Sequence, residues 1–370
     1  MAGVIMVNNN YLYSKVKQQI IEYMKELPLN TRIPSRTELV EKFHVTRTTI
    51  DRAISELIGE GYLYSRIGSG TYIVNSSPAK RQQSESGIMN WGLIVPNITN
   101  DTYPEILRGV EDVCSESEIN LIVCNTDNNI EKQDKYIKKL VDSAVSGLIV
   151  VPAISKTQCL SSFELLEENN IKFVFCNRGI EGLKAPKVVS NDFFGANVAT
   201  KHLLKLGWKN PAYISRPFYS ISEQRYNGYL SALYEFGLTV NEDYVIFEDT
   251  FEIQDSGYET MKSLLQLPVP PDSVVCFNDI VARGAYKAIE EMGLKVGIDI
   301  GVVGYDDSFV CETLPVKLTS VRFPKYEIGK KAAEILLSMV NGTEIKDSYS
   351  VVLQPSLVIR ESCGSGIKFF

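Results

Sequence analysis

Residues 35–58 read SRTELVEKFHVTRTTIDRAISELI. Ser35 stands three residues before Glu38. At that spacing a serine hydroxyl accepts from an early helical N–H while the glutamate reaches back to the serine N–H. The spacing predicts a short helix with Leu39, Val40 and Phe43 inward, and a turn at His44-Val45. Thr46 is placed to cap a further helix. Its apolar positions Ile50, Ala53, Ile54, Leu57 and Ile58 share one face, and Gly59 and Gly61 stop it. The opposite face shows Arg47, Thr48, Asp51, Arg52 and Ser55. A short helix, a tight turn and a helix with a polar outer face form a helix-turn-helix pattern.

Upstream, Leu12, Val16, Ile20, Tyr23, Met24 and Leu27 recur at helical spacing, and Pro28 and Asn30 end that helix. Downstream, residues 62–66 and 71–74 read as two strands joined by Ile67-Gly68-Ser69-Gly70, a hairpin in the position of a wing. A winged head of this kind places its third helix in the major groove of duplex DNA. The head is assigned to residues 1–75. Residues 76–89 are polar and poor in apolar side chains, the composition of a flexible linker.

From residue 90 to 370 apolar strands alternate with helical patterns. Strands are expected at 92–95, 121–124, 147–151 and 173–176, with amphipathic helices between them. After Asp192 the alternation restarts, with strands at 212–214, 274–277 and 301–304. Continuous apolar strands separated by helices imply parallel sheets covered on both faces. The expected fold class is therefore α/β: a winged helix-turn-helix followed by a two-lobed domain of two parallel sheets with a cleft. Ligands of such sheets bind outside the carboxyl ends of the strands. Those ends carry Asn97–Asp101, Asn125–Asn128, Asn177-Arg178, Asn278-Asp279 and Asp306-Asp307. Asn, Asp and Arg held there suit bidentate hydrogen bonding of vicinal hydroxyls. Each also suits capping of the helix that follows.

Charge is divided unevenly. The chain has 38 basic and 45 acidic residues, yet residues 1–75 hold 9 basic and 7 acidic ones. A mildly basic head on an acidic body accords with a DNA-contacting head. Seven scattered cysteines without a C-x-x-C pair fit free thiols in a reducing compartment. No signal peptide or membrane span is recognisable, so a cytoplasmic protein is expected. The two histidines, His44 and His202, lack partners at metal spacing, and no nucleophile elbow is present. Neither a catalytic centre, a metal site nor a cofactor is expected. A solute-binding receptor without a DNA role is the rival reading. The complete wing speaks against it.

Residues from about 10 to 75 resemble the GntR family of winged-helix regulators, through IPSRTELVEKFHVTRTTIDRAISELIGEGYLYSRIGSGTYIV. The resemblance implies base or phosphate contacts at Arg47 and Thr49 and, in the wing, at Gly68. With the exposed face of the helix it gives the DNA-binding set Arg36, Thr37, Arg47, Thr48, Thr49, Asp51, Arg52, Arg66 and Gly68. Two departures stand out. Thr37 occupies a place where many members carry Arg, with Arg36 just before it. Asp51 occupies another, with Arg52 next. An aspartate there either accepts from a cytosine amino group or is a solvated surface charge, and Arg52 either meets DNA or pairs with Glu56. Arg66 meets phosphate or faces solvent.

Residues 90–361 resemble the LacI/GalR type of sugar-sensing domain, itself similar to periplasmic sugar-binding proteins. The segments that carry this are CNTDNNIEKQ, VVSNDFFGANVATKHLLKLGW, SEQRYNGYLSAL, VCFNDIVARGAYKAI, VVGYDDS and LTSVRFPKYEIGKKAAEILL. The resemblance implies effector contacts at Arg225, Asn278 and Asp306, with Asn177, Arg178 and Tyr103 as further ones. Asn177 departs from the Asp that many members place there, and Asp279 is the alternative cap of the helix after it. The two resemblances together imply a homodimeric repressor that binds a double-stranded operator. They imply a small sugar effector, first L-arabinose or a related pentose or deoxyhexose.

Overall fold

The computed structural model describes residues 9–25, 27–28, 31–59, 62–66, 69–73, 89–154, 160–217, 219–248, 256–347 and 349–366. The chain divides into two compact units, Met1–Gly87 and Ile88–Phe370.

In the first unit, α1 (Asn9–Lys25), α2 (Arg36–Phe43) and α3 (Arg47–Gly59) precede β1 (Leu63–Arg66) and β2 (Gly70–Ile73). Val16, Ile20, Met24, Leu39, Ile50, Ala53, Ile54 and Leu57 are buried in one core with Leu63 and Ile73. The strands pair antiparallel, Leu63 opposite Ile73. The base of the hairpin is anchored by Ile33 N–H donating to Thr71 O at 2.9 Å and Ile73 N–H donating to Thr31 O at 3.0 Å. The stop expected at Asn30 and Gly61, and the turn residue Gly68, lie outside the described residues.

The second unit begins with β3 (Met89–Val95), α4 (Tyr103–Glu116), β4 (Ile119–Asn125), α5 (Ile130–Asp142), β5 (Gly147–Val150), α6 (Ser161–Glu168), β6 (Lys172–Asn177) and β7 (Lys187–Ser190). It continues with α7 (Asp192–Lys205), β8 (Pro211–Ser215), α8 (Ser220–Glu235), β9 (Val245–Phe247), α9 (Tyr258–Leu265), β10 (Ser273–Cys276), α10 (Asp279–Glu291), β11 (Gly301–Tyr305), α11 (Val310–Thr313) and β12 (Thr319–Arg322). Then come α12 (Lys325–Val340), β13 (Ser350–Leu353), β14 (Ser356–Val358) and a 3-10 turn at Glu361–Cys363.

Two six-stranded sheets result, in the orders β13-β7-β6-β5-β3-β4 and β14-β12-β11-β10-β8-β9. The interior strands Gly147–Val150 and Gly301–Tyr305 are buried along their whole length, which is why they read as apolar runs. The first sheet is parallel throughout. The second is parallel except at its edge strand β14, which pairs antiparallel with β12, so both sheets are parallel-dominated as expected. β14 enters directly from β13 of the other sheet, without the helical crossover that returns a strand in parallel.

The chain passes between lobes three times, after β7, after β12 and after β13. After the second passage, α12 packs back against α4 and the first sheet. That helix pair is tight: a Cβ built at Gly109 would overlap the Tyr326 carbonyl, and one at Gly329 the Ile106 carbonyl. Gly329→Ala is therefore expected to destabilise the unit by about 1–3 kcal/mol through overpacking, outweighing the roughly 1 kcal/mol that alanine gains over glycine in a helix. A lowered urea midpoint with unchanged slope checks it.

Candidate functional site

Two polar surfaces stand out, one in each unit. In the head, both halves of the Ser35–Glu38 capping box form: Glu38 N–H donates to Ser35 Oγ at 3.3 Å and Ser35 N–H to Glu38 Oε2 at 2.6 Å. The Ser35 backbone and hydroxyl donors hold the Glu38 carboxyl below its ordinary pKa. His44 takes the left-handed turn conformation, φ 51°. Thr46 Oγ1 accepts from Thr49 N–H at 3.4 Å, as its capping position predicts.

The face of α3 that turns from the core presents the predicted residues. Arg47 is 75% exposed. Thr37, Thr48, Arg52 and Arg66 are exposed, and Thr49 is half-buried. Arg52 lies 4.0 Å from Glu56, which also takes Lys17 of α1 at 3.2 Å. Asp51 is not a bare solvated charge: Arg36 Nε donates to its Oδ1 at 2.9 Å, and Arg47 Nε is 3.8 Å from its Oδ2. Nothing is placed at Gly68, which lies outside the described residues.

In the second unit all six predicted cleft residues, Tyr103, Asn177, Arg178, Arg225, Asn278 and Asp306, line one cavity of about 170 Å³. It lies beyond the carboxyl ends of β3, β6, β8, β10 and β11, so both lobes contribute. Its polar lining groups suit a small polar molecule. Asn177 (φ 66°) and Asp306 (φ 100°) both adopt left-handed backbone at their strand ends. Such conformations persist in non-glycine residues where the surroundings enforce them, and they collect at ligand sites.

Arg225 organises the second-lobe wall. Its Nε donates to Asp192 Oδ1 at 2.8 Å, Nη1 donates to the Phe277 carbonyl at 2.5 Å, and Nη2 is 3.8 Å from Asp306 Oδ1. The guanidinium carbon sits 3.4 Å from the Tyr305 ring centroid and 4.5 Å from that of Phe277. Burial opposes the Arg225 charge, but Asp192, Tyr305 and Asp306 outweigh it and raise its pKa. Burial pushes Asp306 up to about 7, against the pull of Arg225 and with a further push from Asp279. Burial likewise raises Asp192, again opposed by Arg225. On the first-lobe wall Arg178 Nε donates to the Pro152 carbonyl at 2.7 Å and its Nη1 reaches the Tyr103 hydroxyl at 3.5 Å.

Not every strand-end polar group faces the cavity. Asn278 is the cap of α10, accepting from Val281 N–H at 3.0 Å, so its amide nitrogen is the donor left toward the cavity. The alternative assignment of that cap to Asp279 is thereby corrected. Asp279 instead accepts from Ser320 Oγ at 2.6 Å and Ser308 N–H at 2.7 Å. Asp307 turns to Arg322 and Arg360, and Asn125 accepts from Ile98 N–H at 3.0 Å to brace the first loop. Conversely, Arg216, Tyr219 and Phe323 line the cavity without having been anticipated. Arg216 follows β8 and pairs with Glu248 at 3.5 Å. The strand-end rule would have found it, since strand 212–214 was legible.

Among the described residues no group of three or more His, Cys, Asp or Glu side chains is placed to hold a metal. Asp192→Asn would leave the buried Arg225 without its nearest carboxylate. We expect it to destabilise the unit by about 3–5 kcal/mol, read as a lowered midpoint of chemical denaturation.

The two units match different family descriptions. Residues 9–73 match the bacterial regulatory proteins of the gntR family, and residues 200–363 match a periplasmic binding protein-like domain. The arabinose metabolism transcriptional repressor of Halalkalibacterium halodurans is 29% identical over 364 residues, covering 95% of this chain and 96% of that protein. The HTH-type transcriptional regulator RegA of Clostridium saccharobutylicum is 32% identical over 273 residues, covering 73% of this chain and 80% of that one. Among solved structures, the transcriptional regulator CelR–cellobiose complex superposes with a TM-score of 0.67 at 25% identity, covering 86% of this chain and 91% of that one. A winged head with an exposed cationic helix, a two-sheet body with a polar cleft, and these likenesses converge: the chain belongs to the bacterial transcription regulators that join a gntR-family helix-turn-helix head to a periplasmic binding protein-like domain.

Proposed function

We propose that this chain is a sugar-responsive repressor whose head binds an operator in duplex DNA and whose cleft binds a small sugar, with L-arabinose or a related pentose or deoxyhexose as lead effector. The observation that carries the reading is the meeting of Tyr103, Asn177, Arg178, Arg225, Asn278 and Asp306 around one small polar cavity. Carboxylate, amide and guanidinium groups fixed on opposing walls match the alternating donors and acceptors of a polyhydroxylated ring. The choice of arabinose rests on two relatives named as arabinose metabolism repressors. Sugar bridging the walls favours a closed cleft. If that closure disfavours operator binding, linkage requires operator to weaken sugar binding by the same factor. Two copies are proposed to pair so that two heads meet the half-sites of a pseudo-palindrome. A cytoplasmic location is proposed with it, because a protein that binds an operator must reach the DNA.

The head is assigned to DNA through Arg47, Thr48, Thr49 and Arg52 on α3, with Thr37 of α2 and Arg66 of the wing beside them. We expect Arg47→Ala to abolish operator binding in gel-shift titrations while sugar binding is retained. Unchanged operator affinity would remove the assignment.

A thermal-shift panel of pentoses and hexoses tests the cleft. A sugar at a hundred times its Kd stabilises the folded unit by about 2.7 kcal/mol, so the effector stands out as the one that raises the melting temperature. Arg225→Ala and Asp306→Ala are expected to lose that response.

Asp306 also gives the binding a pH dependence. It faces Arg225 and Asp192, with Asp279 behind it and Lys325 nearby. Without ligand, the contribution of its neutral carboxyl to stability is complete below about pH 4. That contribution is lost as pH rises through about 7, because the folded-state pKa lies above the unfolded one. Hydroxyls donating to Asp306 favour the ionised form, so sugar affinity should increase from about pH 6 to 8 and binding near pH 7 should release protons. Titration calorimetry in buffers of unlike ionisation enthalpy reads the release, and Asp306→Asn should remove it.

A further inference from the structure

Asp51 sits one helical turn after Arg47 on the exposed face of α3, where a carboxylate would meet the phosphate-rich groove. An aspartate that reads a base needs an oxygen aimed outward at a cytosine amino group. Both Asp51 oxygens face guanidiniums instead: Oδ1 accepts from Arg36 Nε at 2.9 Å, and Oδ2 lies 3.8 Å from Arg47 Nε. Arg36 comes from the first turn of α2 and extends the connection. Its Nη1 donates to Thr71 Oγ1 of β2 at 3.4 Å, and Thr71 is 3.4 Å from Ser65 Oγ of β1. A chain of polar contacts thus runs from α3 through α2 to both strands of the wing. Asp51 is 46% exposed at its side chain and Arg36 37%, against 75% for Arg47. The clamp lies low on the surface, and the residue that projects beyond it is Arg47.

From this we infer that Asp51 is a positioning residue: it reads no base, and by pairing with Arg36 and Arg47 it fixes the direction of Arg47 and the setting of the wing against α3. Arg36 belongs to the same clamp and not to the base-reading set. The charge balance supports the assignment. One carboxylate between two guanidiniums leaves the cluster net positive, so it still attracts the phosphate backbone while losing the repulsion that a lone carboxylate would bring. The inference rests on the head binding duplex DNA, as proposed above.

The test uses the full chain and a pool of duplexes with a randomised core. The wild-type chain selects its preferred sequences, and the same pool and single-base variants of the selected duplex are then titrated with Asp51→Asn and Asp51→Glu. The expected result is that Asp51→Asn weakens binding about fivefold, the scale of one well-made exposed ion pair. The weakening should be uniform across single-base variants, so that base preference at every position is kept, and Asp51→Glu should recover most of the loss. A change in preference confined to one base position with Asp51→Asn would make Asp51 a reader and overturn the inference. So would wild-type affinity for Asp51→Asn. If the wild-type chain enriches no sequence at all, the DNA-binding reading fails and the positioning role falls with it. Thermal unfolding of both variants at the wild-type temperature separates positioning from loss of fold.

Discussion

A single buried guanidinium sets the geometry of the second unit. Arg225 projects from α8 into the point where α7 begins and where β10 and β11 end, and it touches something from each: the Asp192 carboxylate, the Phe277 carbonyl, the Asp306 carboxylate and the face of Tyr305. Desolvating a charge costs several kcal/mol unless its hydrogen bonds and counter-charges are supplied in place. Here they are, and supplying them fixes three strand and helix ends relative to one another. The cavity wall is a by-product of that arrangement. Asp306 is held beside Arg225 but farther away than Asp192, at 3.8 Å against 2.8 Å. Burial pushes its carboxyl up to about 7, against the pull of Arg225.

The two polar surfaces are built on opposite physical terms. In the cleft, charges are desolvated, few and mutually committed, so small changes in a ligand's donors and acceptors carry weight in a low-dielectric setting. On the head, Arg47, Arg52 and Arg66 stand in water, where pairwise interactions are weak and screened by salt. What the head needs is direction more than strength, and the contacts from Asp51 through Arg36 to Thr71 supply direction by tying three elements together.

Much of this was legible in the sequence because it is local. The capping box at Ser35–Glu38 and the Thr46 cap depend on residues three apart, and both form. Buried strands showed as apolar runs. The weaker elements did not. β9, β12, β13 and β14 are three- or four-residue strands whose burial depends on neighbours far away in sequence, and β13 and β14 carry exposed positions that break any apolar run. The antiparallel placement of β14 follows from the third passage between lobes, a property of topology that no local pattern records. In the cleft, the resemblance drew attention to Arg225, Asn278 and Asp306, but strand-end position alone could not say which polar groups face inward. Asn125, Asp279 and Asp307 are as polar as those that do, and each is consumed by a loop, a serine pair or an arginine pair.

By itself, the sequence determined the periodicities: a short capped helix, a turn and a polar-faced helix at one end, and two runs of alternating apolar strands and helices behind it. Those follow from interactions spanning a few residues, which the order of side chains encodes directly. Tertiary structure alone decided which charges distant in the chain are paired. Whether Asp51 faces a groove or Arg36, and whether Arg225 answers Asp192 or Asp306, turns on contacts across 15, 33 and 81 positions of chain. Electrostatic energy depends on distance in space and on burial, and both are set only once the layers have packed.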